Sequence, residues 1–191
     1  APLINALIRV GKMSEKEILF QSLINGDKFV PSTKRGARDG ATESIAEQNA
    51  RNCTNARSRQ NRAKEKAMDL LEMEICKNSL DENKIIIVEV EDDAIDTTLT
   101  GLVAMNLVSK YKKPVLVVRE DSEGYLKGSG RGTDKSELKD LKQFLIDSGY
   151  FDFAEGHANA FGVSIHKSKV EKFTEYANEK LKDVNFNEGV Y

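Results

Sequence analysis

Hydrophobic and polar positions divide the chain into three zones, and the last, from about Asp81 to Tyr191, alternates short apolar runs with helix-spaced stretches. Lys84 to Val90 is a β-branched run bounded by polar residues, the pattern of a strand buried on both faces. Leu99 to Tyr111 has helical spacing behind the possible caps Asp96, Thr97 and Thr98. Lys112-Lys113-Pro114 then turns the chain into a second strand over Val115 to Val118. Gly124 to Lys127 reads as a third strand, Leu138 to Ser148 as a helix, Phe161 to Ile165 as a strand and Lys169 to Leu181 as a last helix. This β-α-β-β-α-β-α order predicts an α/β domain whose mixed β-sheet is flanked by helices.

The other two zones are helical in character. Ala1 to about Lys34 reads as a loop and then a short helix. Ser14 would be its N-cap with Glu17 completing a capping box, and Ile18, Leu19, Leu23 and Ile24 its apolar face. Gly26-Asp27 ends that helix, and Pro31-Ser32-Thr33 with Gly36 and Gly40 makes a polar connector. Thr42 to Asn78 contains neither Gly nor Pro, so nothing stops one helix of roughly 55 Å. Its seam, Ile45, Asn49, Cys53, Ala56, Gln60, Ala63, Ala67 and Leu70, is mostly small or polar, which suits a strut or one side of a groove better than a core.

Composition narrows the class. With 39% hydrophobic and 31% charged residues this is a globular chain, and no run approaches the ~20 apolar residues of a membrane span. The net charge of −2 excludes a generic polycation, so any nucleic-acid contact must come from a local basic patch. Arg51, Arg57, Arg59, Arg62, Lys64 and Lys66, with Glu65 as the one interleaved acid, are one such run, although a solvated helix face is the preferred account of it. Two isolated cysteines, Cys53 and Cys76, without CxxC or Cys/His spacing, point to a reducing, cytoplasmic setting and to no zinc site. Ala-Pro-Leu-Ile-Asn at the start has neither the basic nor the apolar region of a signal peptide.

Two glycine-containing segments carry candidate chemistry. Gly128-Ser129-Gly130-Arg131-Gly132-Thr133 puts a hydroxyl and a guanidinium beside backbone that a ligand could approach closely. It fits a phosphate-binding loop, and equally a flexible turn with an exposed arginine. It lacks Walker spacing. Glu155-Gly156-His157-Ala158-Asn159-Ala160-Phe161-Gly162 places a histidine where it could donate to a phosphate or simply shape a turn. His166 reads as a surface histidine. Of the nearby aromatics Tyr125, Phe151, Phe153 and Phe161, the last reads as core.

Taken together and in this order, Gly128-Ser129-Gly130-Arg131 and Gly156-His157-x-x-Ala160-x-Gly162 resemble the DHHA1 domain of the DHH phosphoesterases, in the RecJ single-stranded-DNA exonuclease branch. Pro2-Leu3-Ile4-Asn5-Ala6-x-x-Arg9-x-Gly11 resembles the P-x-I-N-A-x-x-R motif that ends the DHH domain in that family. The resemblance implies a remnant of the DHH domain over 1–34, a connector helix over 35–80 and a DHHA1-like substrate-binding domain over 81–191. It also implies a chain that is the C-terminal part of a longer enzyme. Asn5, Arg9, Ser129, Gly130, Arg131, Gly156 and His157 would contact single-stranded DNA, with His157 reaching the scissile phosphate. Manganese or magnesium would be held by the enzyme's own DHH domain, outside this chain. A DHH/DHHA1 hydrolase of short oligoribonucleotides or cyclic dinucleotides, or a stand-alone binding module, are the alternatives.

The chain departs from the family pattern in four places. Glu155 replaces the first of two glycines before the histidine, Gly132 a serine after the arginine, and Ile8 a glycine before Arg9. Glu91 to Asp96 stands in place of a Trp-His-x-Gly segment. This acidic run reads as a solvated loop leading into a helix N-terminus, without a metal. With two histidines, neither beside an aspartate, no DHH-type metal cluster can be assembled from these residues.

Overall fold

The computed structural model describes residues 2–91, 94–133 and 135–186. It falls into two compact units, Ala1–Ala63 and Lys64–Tyr191.

The first unit opens with α1 (Pro2–Val10), where the sequence predicted a loop. Pro2 occupies the first helical position, where its missing N–H costs nothing. α2 (Met13–Ile24) is capped at Lys12, two residues before the expected Ser14: Glu15 accepts from the backbone N–H of Lys12 (2.8 Å). Leu7, Leu19, Cys53 and Ala56 form the small core of this unit, with Val10 packed against it. The expected polar connector contains a two-stranded antiparallel hairpin, β1 (Phe29–Pro31) and β2 (Thr42–Ser44).

The expected long helix is present as α3 (Ile45–Lys77), 33 residues long. Its buried positions run Ile45, Gln48, Cys53, Ala56, Gln60, Ala67, Leu71 and Ile75. Ala63 and Leu70, expected on the seam, are exposed. Of the basic run on α3, Arg51 is bonded to Glu43, Arg57 to Gln60 and Arg59 to Glu15 within the first unit.

The second unit is a five-stranded mixed sheet in the order β3-β4-β5-β7-β6. Its strands are β3 (Ile86–Glu89), β4 (Val115–Glu120), β5 (Tyr125–Arg131), β6 (Phe151–His157) and β7 (Ala160–His166). β3 and β4 are parallel, joined by α4 (Thr100–Tyr111); the other neighbours are antiparallel. α5 (Leu141–Ser148) starts three residues later than expected, capped by Asp140, and α6 (Val170–Lys180) closes the unit.

One sheet face packs against α5 and α6 through Leu116, Leu126, Leu141, Leu145, Phe161, Val163, Ile165 and Phe173. Each such buried side chain stabilises the fold by about 2 kcal/mol. α4 covers part of the other face, lying on β4 and β5 and burying Val103, Ala104, Leu107 and Val108. No described helix is long and apolar enough to cross a membrane.

Candidate phosphate-binding site

The segment expected to be a glycine loop is strand. Gly128, Ser129, Gly130 and Arg131 form the second half of β5, hydrogen-bonded to β4 on one side and β7 on the other. Their glycines serve packing between strands and side chains. A Cβ at Gly128 would run into the carbonyl of Val117, and one at Gly130 into the Phe161 ring and Leu116. His157, also expected in a loop, ends β6, a strand that the hydrophobic pattern did not predict; β6 and β7 form a hairpin through Ala158-Asn159.

Strand alternation sends Ser129 and Arg131 to one face and Gly130 to the other. Gly130 therefore looks into the core. Ser129 and Arg131 lie against the start of α4, where the Ser129 hydroxyl is 3.0 Å from that of Thr100. Thr100 already donates to the Thr97 carbonyl (2.9 Å), so Ser129 is the donor of that pair. The Arg131 guanidinium lies over Gly101, filling the space a Cβ there would need, and donates to the carbonyl of Gly130 (2.6 Å).

The register ties the two motifs together. Arg131 pairs with Ala160 on β7, and Ala160 pairs with His157 on β6. Ser129, Gly162 and Glu155 make the next row on this face, and Lys127, Ser164 and Phe153 the row after it. At ~4.8 Å between strands, Arg131 and His157 are about 10 Å apart at their Cα atoms. Small residues, Ala160, Gly162 and Ser164, form the floor between them. Phe153, Glu155 and His157 on the edge strand are exposed.

Local backbone chemistry fixes these positions. Gly156 has φ +135, and a Cβ there would lie 2.8 Å from the carbonyl oxygen of Ala160, so only glycine fits before His157. Asn159 holds the hairpin tip: its carbonyl accepts from Gly132 N–H (3.0 Å) and its amide donates to the carbonyl of Lys139 (2.8 Å). A Cβ at residue 132 would meet Asn159 Oδ1 at 2.5 Å, so a side chain there would displace the Asn159 amide.

Beside Ser129 lies a cavity of about 400 Å³ lined by Thr97, Thr100, Val117, Lys127 and Gly128, within the size range of small-ligand clefts. Asp96 caps the turn over Thr97–Leu99. Hydrogen bonds from the Thr98 hydroxyl and backbone N–H hold its carboxyl below the usual carboxylate range. Lys127, which sequence reasoning missed, is half-exposed and paired with Asp121 at 2.7 Å. Phe153 is the one aromatic of the four positioned for stacking: Phe161 is core, Phe151 packs edge-on to Phe173, and Tyr125 packs on His166. His166 itself accepts from the Ser168 N–H and has a structural role.

Asn5 and Arg9 belong to the first unit. They are one turn apart on the exposed side of α1, opposite the buried Ala6 and Leu7. Asp92 and Asp93 of the acidic run lie outside the described residues. Among the described residues no three His, Cys, Asp or Glu side chains converge to hold a metal ion. The donors gathered here are neutral or cationic, a set suited to anionic oxygens.

No family model matches the chain. It is 41% identical over 192 residues to a Bacillus subtilis (strain 168) protein provisionally named SPbeta prophage-derived single-strand DNA-specific exonuclease YorK, and equally to its counterpart in Bacillus phage SPbeta. That alignment takes in 99% of this chain and 33% of each relative. Over 86 residues it is 31% identical to the single-stranded-DNA-specific exonuclease RecJ of Haemophilus influenzae, covering 44% of this chain and 15% of that protein. The fold is similar to that of RecJ from Thermus thermophilus in complex with Mn2+ (TM-score 0.60, 18% identity, 96% of this chain and 24% of that one). It is also similar to an exonuclease RecJ bound to manganese (TM-score 0.57, 19% identity, 92% and 39%). The chain spans about a third of the length of the full-length matches among its curated relatives. Carried by this likeness along its whole length, the chain belongs to the RecJ-like family.

Proposed function

We propose that this chain is the substrate-gripping C-terminal portion of a RecJ-like exonuclease that hydrolyses phosphodiester bonds of single-stranded DNA. In this reading 1–34 is the end of the DHH domain, 35–80 the connector and 81–191 the DHHA1-like domain. Manganese or magnesium is held by residues outside the chain. The part of this chain in that reading is binding and orientation of the substrate.

The carrying observation is the shared row of Arg131, Ala160 and His157, with Ser129 one row along on the same face. Arg131 offers planar N–H donors to phosphate oxygens, Ser129 a hydroxyl and His157 a ring N–H. Gly130 and Gly156 act through the backbone: the first lets β5 pack on Phe161, the second sets the approach of His157. The floor of small residues lets a backbone lie close to the sheet, and Phe153 provides a face on which a base can stack. Asn5 and Arg9 supply donors from α1. Phosphate contacts carry no base code, so binding should be indifferent to sequence.

The test is binding of the 191-residue chain to single strands of increasing length. Affinity should climb from a dinucleotide to an oligonucleotide of about 10 nucleotides and fall steeply with salt. Equal affinity for a dinucleotide and a long strand would favour a hydrolase of short oligoribonucleotides or cyclic dinucleotides.

A further inference from the structure

The net charge of −2 hides a sharp asymmetry. The first unit carries eleven Lys and Arg against six Asp and Glu, an excess of five positive charges; the second carries eighteen against twenty-five, an excess of seven negative. Three of the eleven, Lys34, Arg35 and Arg38, stand on the ten-residue loop between β1 and β2, with Asp39 as the loop's single acid.

This loop is folded as two successive turns of the same form. Ala37 N–H donates to the Lys34 carbonyl and Ala41 N–H to that of Arg38, each at 3.0 Å. Each turn has glycine third, Gly36 at φ +79 and Gly40 at φ +75, as a turn with a left-handed third residue requires. Lys34 and Arg38 thus open equivalent turns. Every residue from 33 to 40 is exposed, and no apolar side chain among them gives the loop a core of its own.

Its order comes from the base. Glu43 on β2 is 2% exposed, and Arg51 of α3 grips both its oxygens at 2.5 and 2.6 Å. The same carboxylate accepts from the Thr33 N–H (2.8 Å). The Thr33 hydroxyl accepts from Arg51 (2.7 Å) and from the buried Gln48 (2.9 Å). Ser32 N–H donates to the Ala41 carbonyl at 2.8 Å, closing the neck. A buried ion pair with satisfied hydrogen bonds is a costly way to hold a loop that contributes nothing to the core. What it holds is three cations in five residues: Lys34 is partly offset by Glu43 (3.8 Å) and Glu47 (4.0 Å), and all three are already ordered, so that binding an anion costs little further entropy.

We propose that the β1–β2 loop is a second, independent contact for the sugar-phosphate backbone of a single nucleic-acid strand, made by Lys34, Arg35 and Arg38. The ligand is that of the proposed function, and the site is a different one.

The experiment measures anisotropy of a fluorescein-labelled oligo(dT) of about 30 nucleotides with the full chain, between ~50 and ~300 mM NaCl. Four proteins are compared with wild type: Lys34→Gln/Arg35→Gln/Arg38→Gln, Arg131→Gln, their combination, and a control, Lys112→Gln/Lys172→Gln/Lys182→Gln, which removes the same charge from exposed positions of the second unit. The loop triple should lower the slope of log affinity against log salt by about 2, at ~0.7 for each phosphate no longer neutralised, with the melting temperature unchanged. The control triple should keep the wild-type slope. A loop triple that binds as wild type overturns the inference, whatever Arg131→Gln does. So does a control triple that loses as much, or a wild-type chain that does not bind. Conversely, Arg131→Gln binding as wild type while the loop triple loses affinity overturns the phosphate role of Arg131 and leaves the loop contact standing.

Discussion

Arg131 and His157 pair with the same residue, Ala160, from opposite sides of β7. Two segments that sequence order separates by a helix and a strand are thereby brought into one row of a sheet. The register, which sets side-chain direction as well as spacing, aims both at one face. In the proposed function, phosphate recognition would be a property of strand pairing.

Gly101 offers a way to move Arg131 without touching it. A methyl group at this position would occupy the place of the guanidinium, the far end of a flexible side chain that can swing aside. Gly101→Ala should therefore weaken oligo(dT) binding several-fold while the melting temperature stays within about 2 °C. Anisotropy and thermal unfolding followed by circular dichroism check the two halves.

Gly130 and Gly156 should behave oppositely, because what they would strike is packed structure. Gly130→Ala drives a methyl into the Phe161 ring and Leu116, overpacking that should cost about 1–3 kcal/mol. Gly156→Ala adds strain at a positive φ and a clash with the β7 backbone, for a loss of about 1–3 kcal/mol. Urea unfolding of each variant should show a lower midpoint.

Glu155 shares the row of Ser129 and Gly162 and lies two residues before His157 on β6, an acid on the face that carries the proposed phosphate donors. Glu155→Gln should raise affinity for oligo(dT) about two- to five-fold at low salt, and the gain should fade as salt screens it. Equal affinity across the salt range would show that phosphates do not pass this residue.

The Glu43–Arg51 pair makes the first unit sensitive to acid. The hydrogen bond from Arg51 lowers the Glu43 carboxyl to about 2, below the ordinary value of 4.5. A group whose folded value is depressed stabilises the fold fully above its unfolded value and ceases to do so as pH falls through the folded one. The contribution, of the order of 3 kcal/mol, should thus be lost between pH ~4.5 and ~2. Unfolding of the first unit measured across that window should steepen in wild type and flatten in Glu43→Gln.

The α/β alternation was legible because β3 and β4 are buried β-branched runs and α4 and α6 carry ordinary helical seams. The first half of β5 was legible over Gly124 to Lys127; its second half was hidden by glycines, which mimic loop composition although they serve contact with Val117, Phe161 and Leu116. β6 was hidden for a different reason. It is an edge strand with Ala154 as its single buried position, so hydrophobic alternation gives no signal. The β1–β2 hairpin has three residues per strand and is held by a salt bridge from α3, a contact that no local pattern encodes. The motifs single out Ser129, Arg131 and His157, which the register places on one sheet face, while Lys127, Thr100 and Gly101 emerge only once the register is known.

The most direct measurement is the affinity of wild type, Arg131→Ala, His157→Ala and the double variant for oligo(dT) of about 30 nucleotides, with melting temperatures alongside. Two groups clasping one strand should each cost about tenfold, without destabilisation and alike for every base composition, and the double variant should lose less than the product if the two hold adjacent phosphates. Wild-type affinity in both single variants, or a loss confined to one base, would contradict the account.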